Sequence, residues 1–463
     1  MQVRFWTRPG RYFPGEQLRR GLFASFISLA TVTLSMAQGP PADAGPQNNT
    51  QAAPVPSRAA TLLADLLREA EANNPQIRAA RQAWDAAKLA PSQVSVLPDP
   101  QFQLQHMSVG SPRPFAGYTN NDFAYVGLGV SQEIPYPGKL RLRGDIAQRE
   151  ADVARENHEA VRRSVRADLK ETYLQLASHV QTLQTLEDNG QLLQQLEQAA
   201  QVRYRAGLGN QQELLRAQLE QTRLLAELTQ HDLETAKLQI RLKQILNRSP
   251  SFSDVTPATI AETPVEASYY DLLAAARGQN PEIAAAERRV EKQQLQVDLA
   301  HKDFYPDFSL QYMWQRTDPA RLRAYYVLTF GVRIPIYKRR KQQPALAQAE
   351  MDLLRSRSEL DSQSLEVAAE LGNQYATAQR TTNLLRIYRD GLLPQARAQA
   401  EAGLAAYQNN RLEFLQVLAA SLDVVRLDRE YWQIIADHET AVARMEEITG
   451  LALRGTDAQG VTP

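Results

Sequence analysis

Between Lys139 and Arg205 the chain reads KLRLRGDIAQREADVARENHEAVRRSVRADLKETYLQLASHVQTLQTLEDNGQLLQQLEQAAQVRYR, with no proline. Val161, Val165, Leu169, Tyr173, Leu176, Val180, Leu183, Leu186, Leu193, Leu196 and Ala200 recur at steps of three and four, or seven where Gly190 intervenes. That is the period of an amphipathic helix. At 1.5 Å per residue it would run on the order of 100 Å, longer than a compact globule can hold. The following stretch, 211–247, carries Leu214, Leu215, Leu219, Leu225, Leu228 and Leu238. The two therefore read as an antiparallel coiled-coil hairpin turning at Ala206-Gly207-Leu208-Gly209-Asn210.

Working outward, the layout occurs twice. Leu66-Leu67, Asn74-Pro75-Gln76-Ile77 and Ala79-Ala80 are matched at a constant offset by Leu272-Leu273, Asn280-Pro281-Glu282-Ile283 and Ala285-Ala286. Pro98-Asp99 is matched by Pro306-Asp307, Ile134-Pro135 by Ile334-Pro335, and Tyr204, Leu215 and Ala217 by Tyr407, Leu418 and Ala420. Matches preserved in order at nearly one spacing mark a duplication. Each half is expected to hold a helix, two short strands, a very long helix, a tight break and a second long helix. In the second half the long helices fall at 345–402 and 410–449, with Gly450 as a helix stop.

The strands announce themselves by a period of two. Phe102 and Leu104 alternate with Gln101, Gln103 and Gln105, and Val126, Leu128 and Val130 with Gly127, Gly129 and Ser131. In the second half Phe308, Leu310, Tyr312 and Trp314 alternate with Ser309, Gln311 and Met313, and Tyr326, Leu328, Phe330 and Val332 with Val327, Thr329 and Gly331. An isolated hairpin is marginal in water, and the apolar residues of the helices are already committed to their own stripes. The apolar strand face is therefore assigned to lipid, with Tyr118, Tyr125, Tyr136, Tyr325 and Tyr326 near strand ends as an interfacial girdle. Strands in lipid must close into a barrel. Four per chain are too few to surround a pore, so identical copies must share one, three copies giving twelve strands, with closed cyclic symmetry. The expected fold class is mainly α with a small β part.

The chain has 463 residues, 43% of them hydrophobic, and Lys+Arg and Asp+Glu both total 52. With no basic excess, nucleic-acid binding is not expected. The absence of cysteine removes disulfides, thiolate metal sites and the lipid-acceptor cysteine of bacterial lipoproteins. Arg4, Arg8, Arg11, Arg19 and Arg20 precede the apolar run 22–36, and Ser35-Met36-Ala37 resembles a cleavage site, so 1–37 reads as an export signal. Residues 38–58 read as a flexible tether, 59–248 as the first repeat, 249–266 as a proline-marked linker, 267–450 as the second repeat and 451–463 as a tail. His106, His158, His179, His231, His301 and His438 show no ligand spacing and read as solvent-facing, and Asp99 and Asp307, each after a proline, read as turn residues. No phosphate loop, nucleophile elbow or convergent carboxylate pair is present, so neither enzyme nor cofactor is expected.

Asn74-Pro75-Gln76-Ile77, Leu97-Pro98-Asp99-Pro100, the segment Val130-Ser131-Gln132-Glu133-Ile134-Pro135-Tyr136-Pro137-Gly138-Lys139-Leu140, and Tyr204 through Gly207 to Leu214-Leu215-Arg216-Ala217-Gln218 carry a family resemblance over about residues 60–450. The chain resembles the TolC family of outer-membrane efflux proteins, and more narrowly its CzcC-like and CusC-like heavy-metal branch. The resemblance implies a homotrimer with a transmembrane β-barrel and a periplasmic α-barrel tunnel, joined to a periplasmic adaptor and an inner-membrane pump. It also implies that the helix tips constrict the tunnel and meet the adaptor. The matching positions are 204–213 and 407–416, with Tyr204, Gly207, Glu213, Tyr407, Asn410, Glu413 and Gln416 as candidates and Tyr407 in the place of a gate tyrosine. Where the family sets two acidic residues on the second tip, this chain has Gln416 and Ala419. Glu213 or Glu413 would supply a substitute carboxylate ring; otherwise they are solvated helix-end charges. Two other functions fit the same residues: a channel for drugs or secreted protein, and a soluble periplasmic coiled-coil scaffold or adaptor.

Overall fold

A computed structural model describes residues 61–107, 125–316, 324–409 and 411–453. The expected signal, the tether, Tyr118, Asn410 and most of the tail lie outside these. The first repeat contains α1 (Leu63–Asn73), α2 (Pro75–Ala87), α3 (Ala90–Val94), β1 (Gln101–Met107), β2 (Tyr125–Ile134), α4 (Lys139–Arg205) and α5 (Gln211–Ile245). The second contains α6 (Tyr269–Gln279), α7 (Pro281–Lys302), β3 (Asp307–Arg316), β4 (Ala324–Arg333), α8 (Gln342–Ile387), α9 (Leu393–Gln408) and α10 (Phe414–Thr449).

The segment before the strands is broken where one helix was expected, and the Asn-Pro pairs break it. Pro75 occupies the first turn of α2, where its missing N–H goes unneeded. The Asn74 side chain accepts from the N–H groups of Gln76 and Ile77 at 2.8 and 3.3 Å, while its amide donates to Ile245 O at 2.8 Å. Asn280 does the same in the second repeat, capping Glu282 and Ile283 and donating to Ile448 O at 3.1 Å. Each Asn thus caps one helix and ties down the end of the repeat's last long helix.

The α4 stripe buries as its period requires. Val165, Leu169, Tyr173 and Leu176 pack with Leu66, Ala70, Leu242 and Leu246. The second repeat builds a matching cluster from Leu272, Ala276, Val367, Leu371, Val442 and Met445. Each fully buried Val, Leu or Met among them contributes about 1.5–3 kcal/mol. At the hairpin turn Gly207 adopts φ 72°, and Leu208 N–H returns to Arg203 O at 2.9 Å, which stops α4. The Asn210 side chain then caps α5 through Glu213 N–H. In the second repeat the expected continuous helix carries a π-helical turn, Tyr388–Leu392, closed by Leu393 N–H to Tyr388 O. Pro394 follows immediately and has no N–H to give the preceding turn, so one extra residue is accommodated there.

The two expected hairpins, one from each repeat, join side by side in one antiparallel sheet in the order β1-β2-β3-β4. Strands β2 and β3, from different repeats, pair from Val126↔Arg316 to Ile134↔Phe308. Phe102, Val130, Tyr312 and Leu328 form one cross-strand row, and Leu104, Leu128, Trp314 and Tyr326 another. Asp307 is a strand residue rather than a turn residue. Its carboxylate accepts Tyr136 N–H at 2.8 Å and faces Lys139 Nζ at 2.9 Å, while Asp303 takes the same ammonium at 3.0 Å. Lys139, 3% exposed, therefore fastens the end of β2 to the start of β3. Among the described residues, no helix is long and apolar enough to cross a membrane.

Candidate functional site

The tips of the two helical hairpins come together. Tyr407, near the end of α9, is wholly buried among Leu193, Leu196, Ala200, Ala217, Phe414 and Val417. Its ring meets Phe414 edge-on at 5.8 Å between centroids, and the Arg203 guanidinium lies over it at 4.6 Å. The Tyr407 hydroxyl donates to the Glu213 carboxylate at 2.9 Å, and Arg203 Nη1 donates to Tyr407 O at 3.0 Å. Burial and the Glu213 hydrogen bond hold the phenol well above its ordinary titration range. Two sequence candidates, Tyr407 and Glu213, are thus in direct contact across the repeats. Tyr204, Glu413 and Gln416 are exposed, and Gly207 supplies the turn.

Arg203 was not singled out in the sequence, although a signal existed: a cation in the last turn of a helix meets unpaired carbonyls. It donates to Leu208 O at 3.2 Å as well as to Tyr407 O. Farther from the tip, Asp428 on α10 is buried and bound by Arg397 of α9 at 2.7 Å. Burial raises its pKa against the pull of Arg397 and Asn189.

The sheet divides by face. Phe102, Leu104, Leu128, Leu310, Tyr312, Trp314, Tyr326, Leu328, Phe330 and Val332 are exposed on one side, and Val126, Val130 and Phe308 are half-buried there. Phe102 is 84% exposed and Tyr326 68%. A continuous apolar surface of this kind marks contact with something other than water. The opposite face carries Gln103, donating to Ser131 at 3.4 Å, Gln311, donating to Gln103 at 3.4 Å, and an Arg333–Glu133 ion pair at 2.8 Å. Gly127 and Gly129 leave room there for Met313, whose atoms would stand 3.3 and 3.1 Å from a Cβ at each position.

The histidines depart from the solvent-facing expectation. His438 is fully buried, its ring nitrogens at 2.9 Å from Thr381 Oγ1 and 2.8 Å from Thr263 O. His179 of α4 and His231 of α5 meet with their Nδ1 atoms 2.9 Å apart. Burial lowers the pKa of both. Spacing within one helix gave no hint of a pair made between two. Among the described residues, no group of three or more His, Cys, Asp or Glu is disposed to hold a metal.

Comparison with known proteins accords with this geometry. The chain is 28% identical over 243 residues to the pyoverdine export outer membrane protein OpmQ of Pseudomonas putida, an alignment covering 49% of this chain and 50% of that protein. The aligned part thus spans about half of OpmQ. The fold matches the outer membrane protein VceC of Vibrio cholerae with TM-score 0.71 at 18% identity, over 84% of this chain and 96% of VceC. It matches the transmembrane channel protein CusC with TM-score 0.73 at 16% identity, over 84% and 92% of the two chains. These similar scores do not set a metal-exporting branch apart. The outer membrane efflux protein family matches residues 66–248 and again 272–451, one match to each repeat, and the chain belongs to that family.

Proposed function

We propose that three copies of this chain share one twelve-stranded barrel in the outer membrane. Their helices continue it as a periplasmic tunnel, a passive conduit for cargo passed on by an inner-membrane pump and a periplasmic adaptor. The observation that carries this reading is the sheet. Among the described residues β1 pairs only with β2 and β4 only with β3, which leaves both outer edges open beside a face of exposed aromatic and aliphatic side chains. Lipid accepts that face only if neighbouring copies pair the edges. The thirteen strand residues from Phe102 to Val332 named above face the bilayer in this reading, and the glutamine, glycine and serine face lines the pore.

At the other end, Tyr204, Gly207, Glu213, Tyr407, Asn410, Glu413 and Gln416 belong to the tip that narrows the tunnel and meets the adaptor. The Tyr407–Glu213 bond, supported by Arg203, holds the two hairpins of one chain together and so keeps the tip narrow. Glu213, repeated by symmetry, contributes negative charge to that constriction.

Heavy-metal cations are the cargo implied by the family resemblance that the Val130 to Leu140 segment carries. The alignment with a pyoverdine exporter favours a second cargo, an organic metal chelator. Deleting the gene and scoring growth on cobalt, zinc, cadmium, copper and silver, and separately siderophore release and dye tolerance, distinguishes them. Lost metal tolerance supports cations, whereas unchanged tolerance with siderophore retained in the cell rejects them. A mature protein recovered in the soluble periplasmic extract, rather than with outer membranes, sinks the channel itself.

A further inference from the structure

Where β4 gives way to α8, the sequence runs Ile334-Pro335-Ile336-Tyr337-Lys338-Arg339-Arg340-Lys341, and no acidic residue follows until Glu350. The four cations are exposed, and none forms an ion pair among the described residues. The matching segment of the first repeat, Ile134-Pro135-Tyr136-Pro137-Gly138-Lys139-Leu140-Arg141, has two cations, both paired: Lys139, buried between Asp303 and Asp307, and Arg141, 3.6 Å from Asp145. The repeats therefore diverge at the base of the sheet.

Folding does not explain the cluster. The N–H groups of Arg340 and Lys341 both return to Tyr337 O at 3.0 Å, forming a turn just ahead of α8. That helix begins without a side-chain cap, and cations beside the positive end of a helix dipole cost stability. The neighbouring side chains are apolar and uncovered: Ile334, Ile336 and Tyr337 are 63, 73 and 69% exposed. Ile334 follows Phe330 and Val332 at a spacing of two, just past the end of β4, and the chain then turns, Ile336 N–H returning to Ile334 O at 3.0 Å. An apolar band ending abruptly in unpaired cations matches the boundary where hydrocarbon gives way to headgroups.

We propose that residues 334–341 form a docking surface for anionic phospholipid at the periplasmic face of the bilayer. Ile334, Ile336 and Tyr337 enter the acyl boundary, and Lys338, Arg339, Arg340 and Lys341 bind phosphate groups. The proposal rests on the lipid-facing reading of the sheet and adds the headgroup charge it selects. Continuity with that face and charge complementarity favour a membrane over a protein partner.

The test uses the full chain in neutral detergent. It is titrated with phosphatidylglycerol, with phosphatidylcholine, and with inorganic phosphate, reading the thermal midpoint. The wild type should prefer phosphatidylglycerol by about ten-fold or more in apparent affinity at low salt, and the preference should shrink in about 0.5 M salt. K338Q/R339Q/R340Q/K341Q should lose the preference, and K338R/K341R should keep it. Equal response to both lipids, a preference surviving in the glutamine variant, or an equal response to inorganic phosphate each overturns the proposal. Wild type missing from the outer-membrane fraction would instead overturn the barrel reading, a separate failure read by fractionation.

Discussion

Tyr407 joins three things at one atom's reach: the Phe414 ring, the Glu213 carboxylate and the Arg203 guanidinium. Tyr407→Phe keeps the ring and removes the hydroxyl, so the expected loss is one hydrogen bond to a charged group, about 1.5–3 kcal/mol. In reconstituted channels Tyr407→Phe and Glu213→Gln should both raise conductance. Tyr407→Ala should raise it further, because it also empties a buried site. Unchanged conductance in all three would leave Tyr407 a packing residue and remove it from the gate. In the sequence Tyr407 and Glu213 are candidates through the family resemblance, as positions matching the two helix tips. It gave no sign that they touch, because that contact depends on how one hairpin lies against the other.

Among the elements, the Asn-Pro breaks and the histidine pair show what local pattern reveals and what it omits. Asn74-Pro75 and Asn280-Pro281 stood out as markers of duplication, and their structural role is to cap α2 and α7 while binding the ends of α5 and α10. Asn74→Ala or Asn280→Ala should lower stability by about 0.5–2 kcal/mol for the lost cap, and somewhat more for the stranded carbonyl, in thermal melts of the assembled protein. The His179–His231 contact joins positions far apart in sequence, so no window along the chain reveals it. Burial disfavours both imidazolium forms; His231 adds repulsion at His179 and Arg429 at His231, while Glu234 opposes the shift at both and Glu227 and Asp232 oppose it at His231. The folded-state pKa values lie below the ordinary 6.5, so this contribution to stability is present above pH 6.5 and is lost as pH falls below it. Asp428 and Glu447, whose pKa values are raised, have the opposite sign. The wild type should therefore lose more of its thermal midpoint between pH 7 and about pH 5 than His179→Gln/His231→Gln does. Parallel curves would show that the pair carries no pH sensitivity.

For the whole molecule, the duplication and the alternating strands fixed what kind of architecture to expect, but not that β2 would pair with β3. Pairing across repeats leaves no mark in either strand, and the register emerges only when the apolar residues of all four strands lie on one face. The native chain has no cysteine, which makes cross-linking clean. Gln103→Cys on β1, combined in turn with Val327→Cys, Thr329→Cys or Gly331→Cys on β4, should give a covalent ring of three chains at one pairing after oxidation. Products no larger than one chain at every pairing would exclude a shared barrel. In the proposed shared barrel the same open edges set a clock on each newly made copy. Until its neighbours arrive, it presents unpaired backbone beside an apolar face, on which any extended chain can add. Meeting the right partners depends steeply on concentration, while capture by a wrong one does not wait for two more copies. Under that proposal scarcity is the hazard: the fewer the copies, the longer each presents its open edges before it is either enlisted or captured.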